Sequence, residues 1–271
     1  MTGQEALRIG FIGVGDQGGG IAERICGAGF PTKIWARRRE AVTPFEALGA
    51  EAADKIEDLG QCDIIGLCVV DDAGVMEIVE ALLPSLKPHA IIVIFSTVHP
   101  NTCIELGRRA AAHQIALIDA PVSGGGDVAR AGKLSVMVGG ADDILERCRP
   151  VLESFAGMIV HLGPLGSGQY AKLINNALLT AHLALADQAL EVGSSLGLDR
   201  GALAQLLLSS SGRSYAIELI NIFHTPAMFP GTDLLRKDVG LLNALAGERG
   251  INASSLISTG NLFLKASDPD V

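Results

Sequence analysis

A chain of 271 residues can bury one large core or, more comfortably, two domains. Its formal net charge of −9 argues against nucleic acid or an anionic membrane surface as a general partner. Five cysteines with no C-x-x-C pair read as reduced residues of a cytoplasmic protein, and no apolar run approaches the ~20 residues of a membrane span. Met1 to Arg8 lacks a charged-then-apolar signal pattern.

The first apolar run, Arg8–Val14, reads as a strand. It ends on Gly13-Val14-Gly15-Asp16-Gln17-Gly18, and a stretch with helical spacing, Gly20 to Ala28, follows. Strand, Gly-x-Gly-x-x-Gly, helix is the dinucleotide-binding fingerprint in its proper order. The first glycine allows the tight turn, the second admits a pyrophosphate, and the third lets the helix pack on the strand. A second strand, Lys33–Ala36, then places Ala36-Arg37-Arg38-Arg39 where an acid would bind both hydroxyls of an adenosine ribose. Guanidinium groups in place of that acid suit a 2′-phosphate, so Arg37 and Arg38 favour NADP over NAD. Glu40 curling back to the ribose is the reading that would keep NAD.

Further strands are expected at Asp63–Val70, Ala90–Phe95, Ile115–Asp119, Leu134–Val138 and Met158–Leu162, alternating with helical patterns. Such alternation implies crossover units and an α/β, doubly wound, mostly parallel sheet of Rossmann type. After Gly163-Pro-Leu-Gly-Ser-Gly168 the strands stop. One long helical pattern runs from Gln169 to Leu196, followed by others near Arg200–Leu208, Tyr215–Ile222, Leu234–Ala246 and Ala253–Lys265. The expected organisation is therefore a nucleotide-binding domain, 1–165, and an all-α domain, 166–271, joined by the long helix. An active site is expected in the cleft between them.

Three segments offer chemistry there. Asp119-Ala-Pro-Val-Ser-Gly-Gly-Gly126 reads as a strand entering a glycine-rich loop, where Ser123, Gly124 and Gly125 present a hydroxyl and backbone N–H groups to a substrate anion. Lys172 and Asn176 stand at i and i+4 on the long helix, so they share a face, with Asn175 alongside. Desolvation of that lysine favours its neutral amine, which can trade a proton with a substrate oxygen. Lys237-Asp238 lies on a later helix and, taken alone, is an ordinary exposed pair. His182 stands about 80° from the Lys172 face and reads as a packed histidine. His99 is expected to cap or flank the helix beginning near Asn101, and no cluster of histidines or carboxylates demands a metal.

In this order the motifs make the chain resemble the β-hydroxyacid dehydrogenases, the family of 3-hydroxyisobutyrate dehydrogenase, tartronate semialdehyde reductase and succinic semialdehyde reductases. The resemblance rests on Gly10 to Gly18, Phe95-Ser96-Thr97, Asp119 to Gly125, Gly168-Gln169-Tyr170-Ala171-Lys172 with Asn176, and Lys237-Asp238. It implies that Lys172 is the general acid/base and that Asn176 and Ser123-Gly124-Gly125 hold a small hydroxyacid or semialdehyde. By the same resemblance, Thr97 lies by the nicotinamide and Lys237 reaches the cofactor, to which Val70, at the end of its strand, is also assigned. Arg37 matches the position that meets the 2′-phosphate. Thr232-Asp233 departs from the family, which often has an aromatic residue there, and the chain ends at Val271 where many members run on.

The reading is an oxidoreductase moving hydride between NADP(H), or NAD(H), and a small β-hydroxyacid/semialdehyde pair. An imine reductase is the enzymatic alternative, although those enzymes usually carry Asp or Tyr in place of Lys172. A non-catalytic nucleotide-binding assembly module is the other. The long helix carries apolar residues on several faces, Leu173, Ile174, Leu178, Leu179, Leu183, Leu185 and Leu190, and a homodimer or homotetramer is expected to cover part of it.

Overall fold

The computed structural model describes residues 6–268. Most of the N-terminal segment read as lacking a signal pattern, Met1 to Glu5, and the last three residues lie outside them. The described chain divides into two compact units, and the division falls between Lys172 and Leu173.

In the first unit, strands β1 (Ile9–Ile12), β2 (Thr32–Trp35), β3 (Glu51–Ala52), β4 (Ile64–Leu67), β5 (Ile91–Ile94) and β6 (Ala116–Asp119) form one sheet in the order β3-β2-β1-β4-β5-β6. Every pairing in it is parallel. Helices α1 (Asp16–Gly27), α2 (Thr43–Glu46), α3 (Asp72–Leu82) and α4 (Pro100–Ala112) make four of the five connections, and a 3-10 turn at Ile56–Leu59 makes the one between β3 and β4. The strand order reverses beside β1, between β2 and β4, which is where open parallel sheets bind ligands beyond their carboxyl ends. The sheet is covered on both faces. Ile91 and Val93 enter one apolar cluster while Ile92 and Ile94 enter another, so β5 reads as an unbroken apolar run rather than an alternating one.

A second, three-stranded sheet follows. Its strands are β7 (Val122–Ser123), β8 (Leu134–Val138) and β9 (Ala156–His161), with β7 antiparallel and β9 parallel to β8. Helices α5 (Gly125–Arg130) and α6 (Asp142–Leu152) flank β8 in the chain. Phe95 stacks on Phe11 and meets Phe155 edge-on at 5.5 Å, so one core serves both sheets.

Two expectations are corrected here. The glycine-rich segment after Asp119 is not one open loop but a short strand running into α5. It folds this way because Gly126 is buried where α5 packs on α1: a Cβ at Gly20 would stand 2.9 Å from the Gly126 carbonyl oxygen. The strand expected over Asp63–Val70 stops at Leu67, and Val70 is exposed beyond it.

The second unit is helical. It comprises most of α7 (Ser167–Ser195) with α8 (Arg200–Leu208), α9 (Tyr215–Phe223), α10 (Thr232–Glu248) and α11 (Ser254–Ala266). Its core gathers Leu183 and Leu190 of α7, Ile217 and Ile220 of α9, Val239 of α10 and Phe263 of α11. Among the described residues no helix is long and apolar enough to cross a membrane.

Candidate active site

A groove of about 590 Å³ opens at the carboxyl ends of β1, β2 and β4. Gly13, Val14 and Gly15 form its floor, Ala36, Arg37 and Arg38 one wall, and Val69, Val70 and Asp71 the other. Gly13 has φ +94°, and a Cβ there would lie 2.1 Å from the Cys68 carbonyl oxygen. At Gly18 a Cβ would lie 1.9 Å from the Gly13 carbonyl oxygen, so only glycine lets α1 approach β1 this closely. Above Gly15, by contrast, space is open, and this residue caps α1 without a side-chain hydrogen bond. A helix N-terminus facing a groove of this kind fits the phosphates of a dinucleotide.

The arginine run is resolved by its partners. Arg39 makes two hydrogen bonds to the Glu46 carboxylate, at 2.8 and 3.2 Å, and is drawn away. Arg37 and Arg38 stay on the groove wall. Glu40 is exposed and is not part of that wall. Asp16, by contrast, pairs with Arg130 of α5 at 3.3 Å and, like Gln17 and Gly18, is not among the residues lining the groove.

Ser123 ends β7, half-buried, and Gly124 and Gly125 are exposed. Lys172 is only 9% exposed and lies on α7 one turn before Asn176. The Asn176 amide is held at both ends: its Nδ2 donates to Asp238 Oδ2 at 2.6 Å and its Oδ1 accepts from Asn175 Nδ2 at 3.1 Å. Asp238 is 2% exposed, so the Lys237-Asp238 pair is not an ordinary exposed one. Lys237 Nζ lies 3.5 Å from the same carboxylate. His99 caps α4, its Nδ1 accepting from the Asn101 N–H.

Besides the burial of Asp238, residue patterns alone miss two further buried polar groups. Asp119, the last residue of β6, is fully buried and accepts the N–H groups of Gly166 and Gln169 at 2.6 and 2.8 Å. Burial pushes its carboxyl up to about 6 against the pull of those bonds. Gln169, also fully buried, accepts the Val98 N–H with its Oε1 and donates to the Ser96 carbonyl with its Nε2. The available signal is a carboxylate and an amide inside otherwise apolar or glycine-rich segments, since such groups persist in a core only when fully hydrogen-bonded.

Residues 8–163 match the family described as the NAD binding domain of 6-phosphogluconate dehydrogenase. Residues 166–269 match the one described as NAD-binding of NADP-dependent 3-hydroxyisobutyrate dehydrogenase. The chain belongs to the β-hydroxyacid dehydrogenase family. It is an NAD(P)-dependent dehydrogenase acting on a CH–OH group. A 3-hydroxyisobutyrate dehydrogenase of Pseudomonas aeruginosa is 33% identical over 91% of this chain and 87% of its own. Among solved structures, the 3-hydroxyisobutyrate dehydrogenase of Mycobacterium tuberculosis with L-serine has a TM-score of 0.85 at 26% identity, covering 96% of this chain and 93% of that one. The protein Psf3 in complex with NADP+ and 2-OPP has a TM-score of 0.81, also at 26% identity, covering 95% and 92%.

Proposed function

We propose that this dehydrogenase uses NADP(H) to interconvert a small β-hydroxyacid and its semialdehyde or keto acid, with Lys172 as the general acid/base. The observation that carries the reading is a lysine only 9% exposed, one helical turn before an amide fixed by a buried carboxylate. Asn176, with its orientation set by Asp238, holds the substrate oxygen. Ser123 with the exposed Gly124 and Gly125 takes the carboxylate of the hydroxyacid. Thr97 borders the nicotinamide side, Val70 contributes to the cofactor groove, and Lys237 reaches the cofactor.

The preference for NADP is supported by Arg37 and Arg38 on the groove wall where an acid is absent, and by the NADP+ complex of Psf3. When bound, the nicotinamide supplies the hydride acceptor or donor. During oxidation, neutral Lys172 takes the hydroxyl proton as the carbinol C–H electron pair leaves as hydride. In reduction the protonated lysine returns it to the carbonyl oxygen. Alignment of the reacting carbon is then the work of Asn176, Ser123 and the Gly124-Gly125 backbone.

The test is a panel of hydroxyacids that includes 3-hydroxyisobutyrate and L-serine, each run with NADP and with NAD and followed by nicotinamide absorbance. Turnover of at least one β-hydroxyacid, faster with NADP, is expected. Absence of turnover across the panel, or a clear preference for NAD, overturns the reading.

A further inference from the structure

The side chain of Gln169 ties the connection after β5 to the helix that carries Lys172. Its Oε1 accepts the Val98 N–H at 3.0 Å and its Nε2 donates to the Ser96 carbonyl at 2.9 Å, so the backbone on both sides of Thr97 is tied to one amide. Ser96 continues the chain of bonds, since its Oγ accepts the Val69 N–H at 2.8 Å, next to Val70 on the groove wall. From the other side, the Gln169 N–H donates to Asp119 Oδ2 and the Gly166 N–H to Asp119 Oδ1. The ends of β5 and β6 therefore hydrogen-bond directly to Gln169 in the first turn of α7, and the end of β4 is linked to it through Ser96. No slack is left there: a Cβ at Gly168 would stand 2.2 Å from the Met137 carbonyl oxygen and 2.8 Å from Asp119 Oδ2.

Gln169 and Lys172 are three residues apart, neighbours on one helical face. An amide buried in this way must be satisfied at both ends, and an apolar residue of the same length would leave the Val98 N–H and the Ser96 carbonyl without it. We propose that Gln169 is a positioning residue, which sets the separation between the Thr97 segment beside the nicotinamide and the proton-transferring Lys172. It thereby aligns hydride and proton transfer. The inference rests on the roles given to Lys172 and Thr97 under the proposed function.

Gln169→Leu removes both bonds, and Gln169→Glu keeps the acceptor for Val98 while losing the donor to Ser96. Two readouts are taken on each folded variant. Hydrogen–deuterium exchange over residues 96–99 should speed up by about tenfold or more in Gln169→Leu, and less in Gln169→Glu. Misplacement of about 1 Å costs on the order of 10² in rate, so kcat should fall by about 10- to 100-fold in Gln169→Leu. The hydroxyacid KM and the NADPH Kd should move by less than about threefold, because Gln169 touches neither ligand. If Gln169→Leu does not fold, Gln169→Glu decides by the same two readouts. Unchanged exchange over residues 96–99, or a loss of kcat/KM carried entirely by KM or Kd, overturns the proposal. A wild-type protein inactive on every hydroxyacid instead overturns the functional reading and the catalytic consequence with it, while the exchange comparison still decides whether Gln169 holds the Thr97 segment.

Discussion

At the scale of single residues, charge and burial separate two kinds of lysine and arginine. Lys172 is buried one helical turn from Asn176, whose amide is oriented by Asp238, whereas Arg37 and Arg38 are exposed on a groove wall. Replacing Lys172 by Ala should leave NADPH binding nearly unchanged and lower kcat by on the order of 10²–10⁴, the range for a positioned acid or base. Lys172→Arg should not restore it, since a guanidinium keeps the charge but does not exchange its proton near neutrality. Near-native kcat in Lys172→Arg, with only KM raised, would instead make the lysine a charge anchor. For Arg37→Ala, loss of a charge-assisted contact to a 2′-phosphate should weaken NADP by about tenfold and leave NAD almost unaffected. Fluorescence titration of the two reduced cofactors measures this, and an equal loss for both would count against the phosphate contact. Much of this is legible in the sequence, because the Gly13 to Gly18 fingerprint and the Ala36-Arg37-Arg38 run are local in the chain. Asp119, Gln169 and Asp238 are not, since the groups that explain each of them lie about 50 to 70 residues away in sequence.

Among the elements, long apolar runs announce themselves and short ones do not. β5 is fully buried and β8 alternates, and both are legible as strands. β3 and β7 are two residues each, too short to carry a period, and exist only because a neighbouring strand pairs with them. The three glycines at positions 124–126 argue locally for a loop, and tertiary packing of α5 on α1 overrides that propensity. The junction between β6 and α7 also makes a prediction. Asp119 has its carboxyl raised to about 6 from an ordinary value near 4, so the fold binds that proton more tightly than the unfolded chain does. Its contribution to stability is thus greatest below about pH 4, falls as the pH rises to about 6, and is flat above. The full change is about 3 kcal/mol at 1.36 kcal/mol per unit. Asp119→Asn should remove this slope, so its urea midpoint relative to wild type should improve between about pH 4 and about pH 6. Parallel midpoints across that window would show that the carboxyl does not titrate there.

For the whole molecule, the question is what covers α7. Leu173, Leu183 and Leu190 are fully buried, but Ile174, Leu178, Leu185 and Val192 are each about half exposed. At 100° per residue those four fall within about 40° of one another, and they run for about 27 Å along the helix. An apolar stripe of that length left to water is uncommon in a monomer, and self-association through one repeated surface is the usual way to bury it. We therefore expect a homodimer or homotetramer in which this stripe is buried against a second copy of the chain. Light scattering at micromolar concentration should give a multiple of the 28.1 kDa chain mass. Leu178→Asp combined with Leu185→Asp, which places two carboxylates on the stripe and touches no residue assigned to the site, should reduce the mass to one chain while circular dichroism still reports a helical protein. A wild-type monomer, or a double variant that keeps its full mass, would mean that the stripe is covered by something other than a second copy.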